Sequence, residues 1–434
     1  MQAHERHPLF IARPRRTRPR LLFHCHVAAA LVGLALSKPG WAAADLPDQT
    51  SIPRLPQLAQ DVGSGSAQVR RQALRGLREL GGPETLPLLA GLLGDAEIDI
   101  REGAIAGVIG VYVPPRANHS VNAAAAFEAA PFHGQLWSVP PELSTALVKA
   151  LGDKEPSVRR DAAYAVGIVL TPPVTDAAAF ELLASLSDRE PSVRVAAARA
   201  LGRLRVQDAG VPLIGRINDE ALEVRLASMR AVGDLRDEQA VVALTDQFTF
   251  YVRGVAGRSA ISALAAIGHP SMIPLFEAQA RSGYPAHRRA AFEGLARAGG
   301  AGAAAPRIEA AMASEKDTRV LIAMAFALAA AGRDGVNRVL DALADRDRSD
   351  DALSYLVELG RPIVAAVAAR FSDPDPFVRG QIATALGFIG GPEADAALKA
   401  ATSESDPVVR QRIETAQLRL TRTPAAPARV HTQS

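Results

Sequence analysis

Cysteine is nearly absent: one residue in 434, at position 25. The chain therefore needs no disulfide, which is compatible with an oxidising compartment without requiring one. Lysine is almost as scarce, at 5 residues against 44 arginines, so arginine is simply the default base of this chain. Aromatics make up only 5% of the residues. That excludes a core built on large rings and fits one lined by alanine and leucine. No Gly-rich phosphate loop follows a strand and opens a helix, and Gly63-Ser64-Gly65-Ser66 reads as a turn between two helices. No Ser/His/Asp or Cys/His nucleophile set stands out. The apolar run Val27–Leu36 has ten residues and is too short to span a bilayer comfortably.

That run sits in a segment that reads as a leader. Arg13, Arg15, Arg16, Arg18 and Arg20 precede it, and Ala42-Ala43-Ala44 follows it with small residues where a signal peptidase cuts. Residues 1–44 are therefore read as a cleaved secretory signal with the cut after Ala44, and the mature chain as periplasmic or secreted with no membrane insertion. The other reading, an uncleaved anchor from Leu21 to Leu36, is opposed by His24 and His26 within it. Cys25 lies ahead of the apolar run and is no lipid acceptor. Seven of the 49 basic residues and one of the 46 acidic residues lie in this leader, leaving 42 against 45. The overall charge of +3 thus becomes −3, which removes the electrostatic case for a nucleic-acid partner.

After a polar lead-in at 45–54, one unit recurs along most of the chain. Its clearest copy runs from Asp188 to Leu204, Asp-Arg-Glu-Pro-Ser-Val-Arg-Val-Ala-Ala-Ala-Arg-Ala-Leu-Gly-Arg-Leu. Pro191 suits the first helical position. Val193, Ala197, Ala200, Leu201 and Leu204 form an apolar stripe at helical spacing. The arginine of the unit returns at 70, 101, 159, 194, 225, 288, 379 and 410, mostly in steps of 31 or 35 residues or about twice that, a period that marks a solenoid. Degenerate copies at Ala256–Gly257 and Val320–Leu321 fill two of the double steps. Second apolar segments such as Leu143–Leu151, Val241–Phe248 and Ile363–Phe371 lie between the copies, so each unit is a helical pair. The expected fold is all-α, a right-handed α-solenoid of about eleven pairs over residues 55–420.

This pattern of acidic turn, Val-Arg, alanine-rich helix and Leu-Gly resembles the HEAT repeat. More closely, it resembles the short HEAT-like repeat first described in phycobilisome lyases, as at Val193-Arg194 and Leu201-Gly202. The resemblance specifies the fold and leaves activity open. Relatives with this scaffold include di-iron hydroxylases with His-Glu pairs, but here the one His-Glu pair is His4–Glu5 in the leader. The bilin lyases share the repeat, yet the lone cysteine and the expected export make that a likeness of repeat only. DNA glycosylases of this type are disfavoured by export and by the charge of −3. The resemblance implies that the repeated arginines form a ladder with acids of the turns, such as Asp153, Asp188, Asp219 and Asp373. It also implies that the second helix of each pair lines the concave side.

The arginines that vary between copies are the candidates for binding. Arg71, Arg160 and Arg289 stand one place after the ladder arginine. Arg75, Arg199 and Arg230 stand five places after it, with Tyr164 and Phe326 in that place in other copies. A broken basic stripe with aromatics suits a protein partner or an acidic peptide. The opposing reading is a solvated polar face. The rhythm breaks at 111–140, read as an inserted, ordered loop that packs on the solenoid edge, with Trp137 as a further candidate contact. His119 and His133 with Glu128 match no metal-ligand spacing. Residues 421–434 are read as a disordered tail. The functional expectation is a non-catalytic interaction scaffold, monomeric and without cofactor. The alternative is a maturation factor that presents a client through the 111–140 loop.

Overall fold

The computed structural model describes residues 55–113, 122–133 and 137–422. The leader, the lead-in, nearly all of the 421–434 tail and residues 114–121 and 134–136 of the insertion fall outside the described residues. Among the described residues the structure is α-helix with short 3-10 turns and no strand. The chain begins with the pairs α1 (Leu55–Val62) and α2 (Ala67–Leu80), then α3 (Leu86–Leu92) and α4 (Ile98–Tyr112). An extra helix follows, α5 (Ala123–His133). The pairs resume with α6 (Pro141–Ala150) and α7 (Pro156–Val169), α8 (Asp176–Ser185) and α9 (Pro191–Arg203), and α10 (Gly210–Arg216) and α11 (Leu222–Leu235). Next come α12 (Val241–Phe250) and α13 (Val255–Ile267), α14 (Ile273–Gln279) and α15 (Pro285–Arg297), and α16 (Ala301–Met312) and α17 (Thr318–Ala330). The last are α18 (Val336–Asp341) and α19 (Ser349–Leu359), α20 (Val364–Ala369) and α21 (Pro376–Ile389), and α22 (Pro392–Ala400) and α23 (Pro407–Arg422). The described residues thus hold eleven pairs and one additional helix.

The second helices form a row, with α7 packed on α9, α9 on α11, α11 on α13, α13 on α15 and α15 on α17. The Leu-Gly element follows from this contact. A Cβ on Gly202 would lie 2.8 Å from the Ala231 Cα of the next helix, and Gly387 meets Ala416 at the same 2.8 Å. Glycine facing alanine lets two backbones approach where larger residues would force them apart. The apolar stripe expected of α9 is broader than one face. Val195, Ala196 and Ala198 are buried along with Val193, Ala197, Ala200 and Leu201, because α9 has neighbours on both sides in the row as well as its own first helix.

The turn acids work between repeats. The Asp188 carboxylate accepts from the Glu190 N–H at 2.9 Å, shaping the turn ahead of α9, and from Arg159 of the preceding repeat at 2.7 Å. Arg194, in its own repeat, donates to the Asp188 backbone carbonyl at 2.9 Å and passes its ion pair on to Asp219 at 2.7 Å. The same bonds recur at Arg70–Asp95, Arg101–Asp153, Arg288–Glu315 and Arg379–Glu404. Asp373 departs from the expected pairing: its carbonyl accepts from Arg379, while the Arg379 ion pair goes to Glu404.

Candidate functional site

The side of the row that carries the places five after the ladder arginine faces inward. Arg236, just past α11, reaches Glu358 on α19 at 2.8 Å although three members of the row lie between them. Side chains four places apart meet only where the row bends toward them, so this face is concave between α11 and α19. It is here that the structure departs most from the sequence reading. The segment read as a loop contains α5, and α5 lies against α7, α9 and α11 on this face.

Two adjacent residues hold it there. Phe127 is buried, with its ring centroid 5.4 Å from that of Tyr164. A Cβ at Gly167 would sit 2.6 Å from the Phe127 ring, so the glycine makes the slot that admits it. The Arg203 guanidinium covers the ring at 3.5 Å from its centroid, and its Nη2 donates to the Phe127 carbonyl. That carbonyl is available because residue 131, which would supply its helical N–H, is a proline. Glu128 then lies between two arginines, 3.1 Å from Arg199 Nη1 and 2.9 Å from Arg230 Nη1. Burial lowers the Arg203 pKa to about 10 and raises that of the Tyr164 hydroxyl.

Three sequence candidates, Tyr164, Arg199 and Arg230, are therefore brought together, by a helix of the same chain. Tyr164 is 4% exposed and Phe326 is 2% exposed, so neither is the open contact expected of it. Phe326 is covered because α15 and α19 close over α17. Its ring stacks on Tyr355 at 4.5 Å, and Arg297 lies 5.5 Å from it. Arg289 belongs to the same closure, bound to Glu293 at 2.9 Å and Asp351 at 3.0 Å. The Tyr355 hydroxyl donates to Glu293, and burial raises its pKa well above the phenol value. Glu358 is shared by Arg297 and Arg236. Burial works against its charge, but these two partners hold its pKa below the ordinary carboxylate value.

The remaining candidates lie apart from α5. Arg71 pairs with Asp99 at 2.6 Å and Glu97 at 3.2 Å, bridging to the next repeat. Arg160 pairs with its neighbour Asp161 at 2.8 Å. Arg75 is exposed, and Trp137, beyond α5, is 40% exposed. Glu128 is taken up by the two arginines, and His119 lies outside the described residues. The sequence reading missed Arg203, Phe127 and Glu128 as site residues. A usable signal was the spacing of Arg199 and Arg203, four apart and so on one helix face.

A row of paired helices with an inward polar face defines a helical-repeat protein, an α-solenoid. More narrowly, the chain is a HEAT-like repeat protein of the phycobilisome-lyase type. Residues 179–259 and 336–417 match the family of HEAT repeats, and residues 69–95 match the PBS lyase HEAT-like repeat. No curated protein matches the chain. Similar solved structures include the complex of CpcE and CpcF of phycocyanin lyase from Nostoc sp. PCC7120, 23% identical over 57% of this chain and 96% of that one, with a TM-score of 0.40. A computationally designed armadillo repeat protein for modular peptide recognition is 20% identical over 49% of this chain and 99% of its own, with a TM-score of 0.33. A designed armadillo repeat protein in complex with the peptide (KR)4 is 20% identical over 56% of this chain and 99% of its own, with a TM-score of 0.35.

Proposed function

We propose that this chain is a non-catalytic protein-interaction scaffold that holds a partner protein along the inner face of its second-helix row. The observation that carries the reading is α5: the inner face of α7, α9 and α11 grips a helix through an aromatic slot and an arginine pair. Binding spread over consecutive repeats suits an extended partner better than a small substrate. The acidic groups around Phe326 are engaged with arginines and a tyrosine, which supports binding over chemistry. The partner is a protein or an acidic peptide, without cofactor. On the leader-like first 44 residues, we place the mature chain in the bacterial periplasm or beyond.

A second reading has one observation in its favour. The exposed Trp137 follows α5 within the insertion, as a client-presenting element of a maturation factor would require. Photo-crosslinking separates the two. A crosslinking residue is placed at Arg75 or Ser262, both exposed in the inner column, at Phe180 or Val242, exposed on first helices, or at Trp137. The scaffold reading expects one partner protein captured from Arg75 and Ser262. Capture from Phe180 and Val242 alone contradicts it, and capture from Trp137 alone supports the maturation factor.

A further inference from the structure

The grip on α5 is incomplete. Arg199 and Arg230 converge on one carboxylate, that of Glu128, while the neighbouring Arg203 lies over the Phe127 ring and bonds the Phe127 carbonyl. Two of the buried donors around it, Arg199 Nε and Arg203 Nη1, have no acceptor. Unpaired buried donors of this kind cost free energy that a better-matched ligand would recover. The slot at Gly167, by contrast, fits its ring closely, and the Phe127 carbonyl is freed by a proline four residues on. The site thus reads three features of a helix: an aromatic side chain, an acid directly after it, and a carbonyl without its helical donor.

We propose that α5 is a resident stand-in for a partner's helix. On this inference the site over α7, α9 and α11 recognises a helical segment of a second protein with the order aromatic, acid, two residues, proline, and with one carboxylate more than α5 offers. The extra carboxylate takes the donors that α5 leaves unpaired, and the segment displaces α5. This inference rests on the scaffold reading and adds the chemistry of the partner. Because α5 is tethered, its effective concentration is about millimolar, so the free chain resists weak competitors and opens only to a matched one.

The probe is a fluorescent peptide with the sequence of residues 122–133, titrated by anisotropy into the full chain, the E128Q variant and the F127A/E128Q variant. Circular dichroism checks that each chain is folded. F127A/E128Q is expected to bind the peptide about tenfold or more tightly than the native chain, with E128Q intermediate, because the tether no longer competes. Adding R199Q, R203Q and R230Q to F127A/E128Q is expected to weaken that binding by about tenfold or more. Absence of binding to the folded F127A/E128Q chain overturns the proposal. So does equal binding to the native chain, or binding that ignores the three arginine substitutions. Any of these results with partner capture intact at Arg75 and Ser262 leaves the scaffold reading standing on another part of the inner face.

Discussion

The Asp219 side chain is 3% exposed, and three donors meet on its carboxylate: Arg194 Nε at 3.1 Å, Arg194 Nη2 at 2.7 Å and the Ala221 N–H at 3.0 Å. Burial opposes its charge, yet these bonds win and keep its pKa below the ordinary value. Asp219→Ala strands the Arg194 guanidinium, which is itself only 7% exposed, and is expected to cost on the order of 3 kcal/mol in urea unfolding. The ladder also predicts an acid dependence. The hydrogen bond from Arg379 and then the Asp406 N–H hold Glu404 at about 2, against 4.5 in the free chain. A carboxylate shifted down in this way stabilises the fold above its unfolded value and loses that contribution as pH falls through the folded one. Stability is therefore expected to drop from about pH 5 toward pH 2, and Glu404→Gln to flatten the drop in thermal melts across that range. The pairing of the ladder arginines with turn acids was implied by the resemblance to the HEAT-like repeat. Its direction, from each repeat to the next, was not, because the sequence gives no sign of which turn a side chain six atoms long will reach.

Among the helices, the Leu-Gly motif sets how closely the row packs. Gly202→Ala drives a methyl group to 2.8 Å from the next helix's backbone and is expected to cost about 1–3 kcal/mol, read as a lower urea midpoint with unchanged slope. The helices of the row were readable because proline and Val-Arg mark the start and Leu-Gly the end of the clearest copies, as in α9 and α21, and the degenerate copies keep the same period. α5 was not. It has no cap signal of the repeat type, and its run of alanines between prolines reads equally as a loop. What makes it a helix in place is tertiary: the slot at Gly167 and the arginines of α9 and α11 lie 40 to 100 residues further along the chain. Tyr164 and Phe326, expected to be open contacts, are buried, because the Phe127 and Tyr355 rings supplied by other helices cover them.

Over the whole solenoid, two systems of ion pairs divide the work. The turn ladder runs through Arg70, Arg101, Arg159 and Arg194, lapses at the next two places, and resumes at Arg288 and Arg379. Arg225 keeps a buried Nε without an acceptor, and Gly257 stands where α13 should carry its arginine. The inner network of Arg236, Glu358, Arg297, Glu293 and Tyr355 reaches across that gap, from α11 to α19. Nearest-neighbour coupling governs how such a stack unfolds. Glu358→Ala is therefore expected to split the urea transition in two, while a single transition at a slightly lower midpoint would assign the coupling to apolar packing alone. Central to the proposed scaffold is that the inner face holds α5 as it would hold a ligand. Hydrogen exchange of the backbone amides, comparing the native chain with Phe127→Ala, tests this most directly. Ala123–Ala130 are expected to lose protection while α7, α9 and α11 keep theirs. Unchanged protection in α5, or its loss throughout the row, would contradict it.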